Sequence, residues 1–249
     1  MSALLYVAPL LAAEPHTPAA IQEAAAQGDA RAQATLGEMY HSGTGVVRNA
    51  QEAAKWFLKA AEQGNSSAQF SLGLLYELGD GVPQDASKAA EWFRKAAEEG
   101  NSVAQSSLGR RYSEGDGLPQ DRNESLRWFR KAAEQGDDLA QFTLGEMYEN
   151  GEGVAQNSQE AAHWYQKAAA QNNPDAQYRL SLLHEQGKGV AKDLQMAYFW
   201  LSLASKHAHY SETNAPQLQA AKNALRKHLQ PAQREEAETR ADNWQPGKP

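Results

Sequence analysis

Apolar residues recur along this chain at intervals of four, and the whole pattern returns every 36 residues. Ala32, Leu36 and Tyr40 lie on one face of a helix turning about 100° per residue. The same face returns as Ala68, Leu72, Tyr76, as Ala104, Leu108, Tyr112 and as Ala140, Leu144, Tyr148. This predicted helix is termed A. A second helix, B, follows each copy, with Trp56, Phe57, Ala60 and Ala61 on its apolar face, then Trp92, Phe93, Ala96 and Ala97, and onward. Trp56, Trp92, Trp128, Trp164 and Trp200 keep the 36-residue spacing throughout. Self-similarity at such a period predicts a solenoid, in which each unit buries its apolar face only against its neighbours. The expected fold is all-α: an α-solenoid of antiparallel helix pairs, five repeats with a helical cap at each end.

Polar residues punctuate the pattern. Asp29, Asn65, Asn101, Asp137 and Asn173 are N-caps for the A helices. Pro174 follows directly, at the position where its missing N–H costs nothing. Gly43, Gly79, Gly115, Gly151 and Gly187 stop helix A in the left-handed conformation. A second glycine comes two residues later (Gly45, Gly81, Gly117, Gly153, Gly189), then an aliphatic residue that pins the turn. Helix B is capped by Asn49, Asp85, Asp121, Asn157 and Asp193, with Glu52, Glu124 and Glu160 expected as capping-box partners. It ends at Gly64, Gly100, Gly136 and Asn172. Gly37, Gly73, Gly109 and Gly145 sit inside helix A, where glycine costs about 1 kcal/mol against alanine. Four such costs at one register predict a helix–helix approach that a side chain would block.

The pattern also marks the ends. Residues 19–28 read as the tail of one more helix B, and residues 29–205 hold the five repeats. The fifth departs, with Ser181 for glycine, His184 for tyrosine, Leu201 for phenylalanine and Ser205 for alanine, as expected where a terminal unit lacks a neighbour. Residues 206–245 form a helical cap, with Leu218, Ala221, Leu225 and Leu229 on one face from Asn214 and Ala237, Ala241 and Trp244 continuing after Pro231; residues 246–249 are a loose tail. Residues 1–18 carry the apolar run Ala3–Ala13, which has the length of a signal-peptide core and ends in small residues, though only Met1 and Ser2 precede it. Export to the periplasm or outside the cell is the favoured reading; the alternative is a cytoplasmic chain whose apolar segment caps the first helices.

Composition narrows the chemistry. The net charge of −7, from 24 basic against 31 acidic residues, disfavours nucleic acid. Cysteine is absent, so there is no disulfide framework or thiol nucleophile. No apolar run reaches the roughly 20 residues of a membrane-spanning helix. There is no Ser-x-x-Lys, Gly-x-Ser-x-Gly, His-Glu-x-x-His or phosphate-binding glycine motif, so no catalytic residues and no cofactor are expected. His184, His207 and His209 lack a carboxylate in ligand spacing, and no metal site is expected. The ladders Gln33, Gln69, Gln105, Gln141, Gln177 and Lys59, Lys95, Lys131, Lys167 read as structural.

With those residues in view, the stretch AQFSLGLLYELGDGVPQDASKAAEWFRKAAEEG, residues 68–100, resembles the Sel-1-like repeat, a relative of the tetratricopeptide repeat. The Ala-Gln and Gly-x-Gly-Val elements and the 36-residue period carry the likeness, over residues 29 to about 205. The resemblance implies a right-handed superhelix acting as a non-enzymatic scaffold or adaptor for another protein or peptide, with helix A lining the concave surface. In bacteria it also implies envelope, signalling, host-interaction or toxin-immunity roles. An inhibitor or immunity protein is one specific version; a cell-envelope hydrolase is the competing class. A basic partner suits the acidic balance. Binding should use positions that change between repeats: Phe70, Phe142 and Tyr178 in a row with Ala34 and Ser106, and Glu38, Leu74, Arg110, Glu146 and Leu182 in the next. The aromatics of the first row either anchor a partner or pack between neighbouring A helices.

Overall fold

A computed structural model describes the backbone of residues 17–247, and their side chains apart from those of 208–213 and 215. The apolar run Ala3–Ala13 and the side chain of His209 lie outside the described residues. Every regular element described is a helix. α1 (Pro18–Ala26) stands in front of five A/B pairs. These are α2 (Ala30–Ser42) with α3 (Ala50–Glu62), α4 (Ser66–Leu78) with α5 (Ala86–Glu98), and α6 (Ser102–Glu114) with α7 (Arg122–Glu134). Then come α8 (Asp138–Asn150) with α9 (Ser158–Ala170) and α10 (Pro174–Gln186) with α11 (Leu194–Ala204). α12 (Ala208–Arg226) and α13 (Pro231–Asp242) follow. The fold is an all-α helical solenoid, and the chain divides into two compact units, residues 1–96 and 97–249.

The caps do what their chemistry requires. Asp29, Asn65, Asn101, Asp137 and Asn173 each accept from the backbone N–H three residues on, at 2.7–3.0 Å. The turn after helix A closes when the N–H of the next cap donates to the carbonyl of Tyr40, Tyr76, Tyr112, Tyr148 or His184 at 2.8–2.9 Å. Within the turn the second glycine admits a neighbouring repeat. A Cβ on Gly81 would lie 2.3 Å from the Ala50 carbonyl oxygen, and one on Gly153 2.5 Å from that of Arg122. Glu52 and Glu124 do not close capping boxes; their carboxylates turn to Lys55 at 2.7 Å and Arg127 at 2.6 Å, one turn along the same face.

Helices A and B of one repeat meet through the interior glycines. A Cβ built on Gly37 would stand 2.6 Å from the Phe57 ring; on Gly73, Gly109 and Gly145 it would stand 2.6–2.9 Å from Phe93, Phe129 and Tyr165. The B-helix ring therefore abuts the A-helix backbone. In the first unit this contact sits in a core of Ala53, Phe57, Ala60, Leu72 and Leu75. In the second unit the pattern runs from Phe129 and Leu144 to Leu218, Leu225 and Ala237 of the closing helices. Trp128, Trp164 and Trp200 are buried, whereas Trp56 and Trp92 are half-buried.

Two features depart from the sequence reading. α12 begins at Ala208, six residues before Asn214, and carries Pro216 inside it. The tail expected to be loose is held at Gly247, whose N–H donates to the Ala170 carbonyl at 2.9 Å. A third feature was unforeseen. Met39, Leu75, Arg111, Met147 and Leu183 share one register and all are buried, Arg111 completely. Its guanidinium reaches Asp116 Oδ2 at 2.8 Å, so the aliphatic slot of the third repeat holds an ion pair.

Trp128→Ala should cost roughly 3–5 kcal/mol, the range for a buried large aromatic, and a loss under about 1 kcal/mol in urea melts would contradict the packing described. Gly37→Ala should cost about 1–2 kcal/mol, because overpacking outweighs the gain in helix propensity. Paired with Phe57→Leu it should cost clearly less than the two losses added, as measured by a double-mutant cycle. Strict additivity would show that ring and glycine do not touch.

Candidate protein-interaction surface

Helix A turns one face to helix B and leaves the opposite stripe to solvent. In the first unit Glu38 is exposed on α2, and Phe70 and Leu74 are half-buried on α4. In the second unit Arg110 is exposed on α6, its guanidinium 3.4 Å from Glu114. Phe142, Glu146, Tyr178 and Leu182 are half-buried on α8 and α10. The Phe70 ring centroid lies 5.3 Å from that of Phe93, and Phe142 lies 5.6 Å from Tyr165, both tilted. Each aromatic thus packs on the B-helix ring of its own repeat. Gln217 donates to the Tyr178 hydroxyl at 2.6 Å, which ties α10 to α12.

The two predicted rows differ in depth. Ala34 and Ser106, from the first row, are buried, so that row is the margin of the core. The outward stripe runs through 31, 35 and 38 in each repeat's register. Arg31, Ser67, Val103, Leu139 and Asp175 are all exposed, and the sequence reading omitted them. A signal for them existed. They lie seven residues before the Glu38 row, two turns back on the same face, and they change type from repeat to repeat.

An ionic network crosses the stripe between α8 and α10. Arg179 reaches Glu146 at 3.2 Å and Glu149 at 3.9 Å, and the Tyr165 hydroxyl donates to Glu149 at 2.7 Å. Burial raises the Glu146 pKa above the ordinary carboxylate value, with Arg179 partly offsetting it. Burial, reinforced by the bond to Glu149, pushes the Tyr165 hydroxyl well up, so it remains a donor. Arg179 is thereby fixed in place as a bridge between two repeats.

The repeated glutamines and lysines are absorbed by packing. Gln33, Gln69, Gln105, Gln141 and Gln177 each donate an amide N–H to a carbonyl eight residues back, on the preceding B helix or α1, at 2.9–3.3 Å. These carbonyls lie in a helix's last turn, where each also accepts the backbone N–H three residues on, at 3.0–3.2 Å. Lys59, Lys95, Lys131 and Lys167 lie over the rings of Trp56, Trp92, Trp128 and Trp164, with Nζ 4.0–4.6 Å from the centroid. Such contacts contribute about 0.5–1 kcal/mol at exposed sites.

A family model described as the Sel1 repeat matches residues 30–65, 66–101, 102–137, 138–173 and 174–209. Comparison with curated proteins gives no match. Among solved structures, a Sel1 repeat protein from Oxalobacter formigenes is similar at 36% identity and TM-score 0.71, over 76% of this chain and 79% of its own. A protective antigen of uropathogenic Escherichia coli strains that displays an SLR fold is similar at 31% identity and TM-score 0.56. That match covers 90% of this chain and 54% of the antigen, so the chain spans about half the antigen's length. An immunity protein from Pseudomonas aeruginosa shares the fold at 24% identity and TM-score 0.50, over 77% and 72% of the two chains.

The Glu146 carboxyl should titrate above the ordinary glutamate range in a carboxyl NMR titration, because burial disfavours its ionised form. Folding then binds the proton more tightly, so this group's stabilising contribution is full at acid pH and is lost as pH rises through its folded pKa. Arg179→Ala removes the attraction that offsets burial and should move the Glu146 midpoint further up. A downward or absent movement would show that Arg179 does not act on Glu146.

Proposed function

The chain belongs to the Sel1 repeat family, and from that premise we propose that it is a non-enzymatic protein-interaction module that binds through the outward stripe of its A helices. One observation carries this reading. Caps, turns, interior glycines and B-helix rings are nearly uniform across repeats, while the stripe changes chemically from unit to unit. Glu38, Leu74, Arg110, Glu146 and Leu182 share one register, in which acid, aliphatic and base follow one another. A partner can be distinguished only by what differs. The deeper aromatics Phe70, Phe142 and Tyr178 support the stripe from beneath and add contact area at its edge.

The narrower form of the proposal is an inhibitor that sequesters a secreted toxin; an immunity protein shares the fold, and fold is all that likeness lends. The partner is expected to be a protein or peptide with basic residues facing Glu38 and Glu146. Export to the periplasm or beyond accompanies this reading and rests on the apolar run Ala3–Ala13. A hydrolase would need a catalytic pair, and turnover of cell-wall material by the purified chain would overturn the proposal.

Affinity capture from the native host, followed by purification of the captured protein, provides the partner for a direct test. Glu38→Lys combined with Glu146→Gln should weaken its binding at least tenfold with helicity unchanged. Glu134→Lys makes the same kind of charge change on the exposed face of α7 and should leave binding within twofold. The reverse outcome would place binding on the B helices. N-terminal sequencing of protein from native cells should find a chain beginning between about Ala13 and Ala19. An intact Met1 or Ser2 in the cytoplasm would exclude export.

A further inference from the structure

The second and fourth repeats place a phenyl ring of helix A against the B-helix ring, Phe70 on Phe93 and Phe142 on Tyr165. The third repeat has the B-helix ring, Phe129, but Ser106 stands where the A-helix ring would be. Its hydroxyl is turned back to the Ser102 carbonyl at 3.2 Å and fills none of that space. A cavity of about 350 Å³ opens there, with Phe129 and Ser106 among its walls. The first repeat also lacks the ring, but its Ala34 is covered within the cluster of Phe57 and Leu72. At Ser106 the space stays open to solvent, between α6 and α8.

We propose that this cavity is the recognition pocket for a phenylalanine side chain of the partner, carried on a segment with a basic residue beside it. The proposal deepens the interaction reading above and rests on it. Three observations carry it. The chain itself shows what fills the equivalent space in the neighbouring repeats: a phenyl ring, tilted, 5.3–5.6 Å from the B-helix ring. An offset or tilted aromatic pair at that distance contributes beyond simple area burial. The cavity is larger than the roughly 150 Å³ that suffices for benzene in an apolar protein interior.

Second, the mouth is rimmed by the two most exposed large aliphatic residues of the second unit, Leu139 at 59% and Val103 at 50%. Both lie on the outward stripe, so a ring entering the pocket would cover them. Third, the charged groups at the mouth are Arg110, Glu114 and Asp137. Arg110 and Glu114 lie 3.4 Å apart and offset one another, so Asp137, the N-cap of α8, sets the net sign of the mouth. Its carboxylate is held in place by the Ala140 N–H at 2.7 Å. A cation next to the incoming ring therefore meets a positioned anion, while an acidic neighbour is repelled.

The probe is the capped tripeptide Lys-Phe-Lys, titrated against the isotope-labelled full chain by NMR. Shifts should concentrate at Val103, Ser106, Arg110 and Leu139, and capped Lys-Ala-Lys should bind at least tenfold more weakly. Ser106→Phe should supply the missing ring from within. It should leave the melting temperature equal or higher and reduce Lys-Phe-Lys binding at least tenfold. Leu139→Lys, at an exposed position, should leave the fold intact and also reduce binding at least tenfold. The proposal falls if Ser106→Phe destabilises the chain, since the space is then not phenyl-shaped, or if the probe binds equally well to either variant. It also falls if the alanine probe binds as well as Lys-Phe-Lys. If the purified partner depends on Glu38 and Glu146 yet ignores Ser106→Phe, the pocket is wrong and the interaction surface stands.

Discussion

The contact between an A-helix glycine and a B-helix ring sets the geometry of each repeat. At Gly37, Gly73, Gly109 and Gly145 the backbone approaches a ring so closely that even a methyl group would overlap it. Neither half of the pair can change alone without strain or a void. The fifth repeat illustrates the coupling, since glycine becomes Ser181 and the ring becomes Leu201 in the same unit. With a smaller B-helix side chain, the A helix can carry a Cβ, and the Ser181 hydroxyl bonds back to the Tyr178 carbonyl at 2.7 Å. The ring that closes the core is also the ring on which Phe70 and Phe142 rest, so core and outward stripe share one set of aromatics.

Much of this was legible before any coordinates. Caps, left-handed stops and interior glycines are local requirements with few residue solutions, so Asn65, Gly79 and Gly73 declare themselves by type alone. The depth of each A-helix row was not legible. Ala34 and Thr35 are neighbours in sequence, yet one is buried and the other exposed, because the crossing of helix B decides which of two adjacent rows it covers. The lysine ladder read as structural without showing its contact; the ammonium groups lie over tryptophan faces, a contact available from the three-residue spacing of Trp56 and Lys59. The helical face of the closing segment was expected from Asn214, whereas α12 begins at Ala208.

Among the first four repeats, the third breaks the pattern most often. Ser106 replaces a ring, Arg111 replaces an aliphatic residue and Ser125 replaces a buried alanine. Arg111 is completely buried beside a carboxylate that is itself partly solvated, and burying a charge costs more than such a pair commonly returns. Sequence patterning hides this, since an arginine stem can occupy an apolar register while its head group finds an acid five residues away. Of these substitutions Ser106 lines the open cavity, which is where recognition chemistry would accept a loss of packing.

The glutamine bonds have a consequence for how the chain acquires its structure. Each closes a loop of eight residues, from Gln33 to Ala25 through Gln177 to Ala169, and the amides that join helices A and B within one repeat span only 30. Contacts so short in sequence carry little loop-closure entropy, and topologies built from them fold quickly. A nascent chain can therefore dock each A helix as soon as the preceding B helix has formed, one repeat behind the ribosome, without waiting for its distant end.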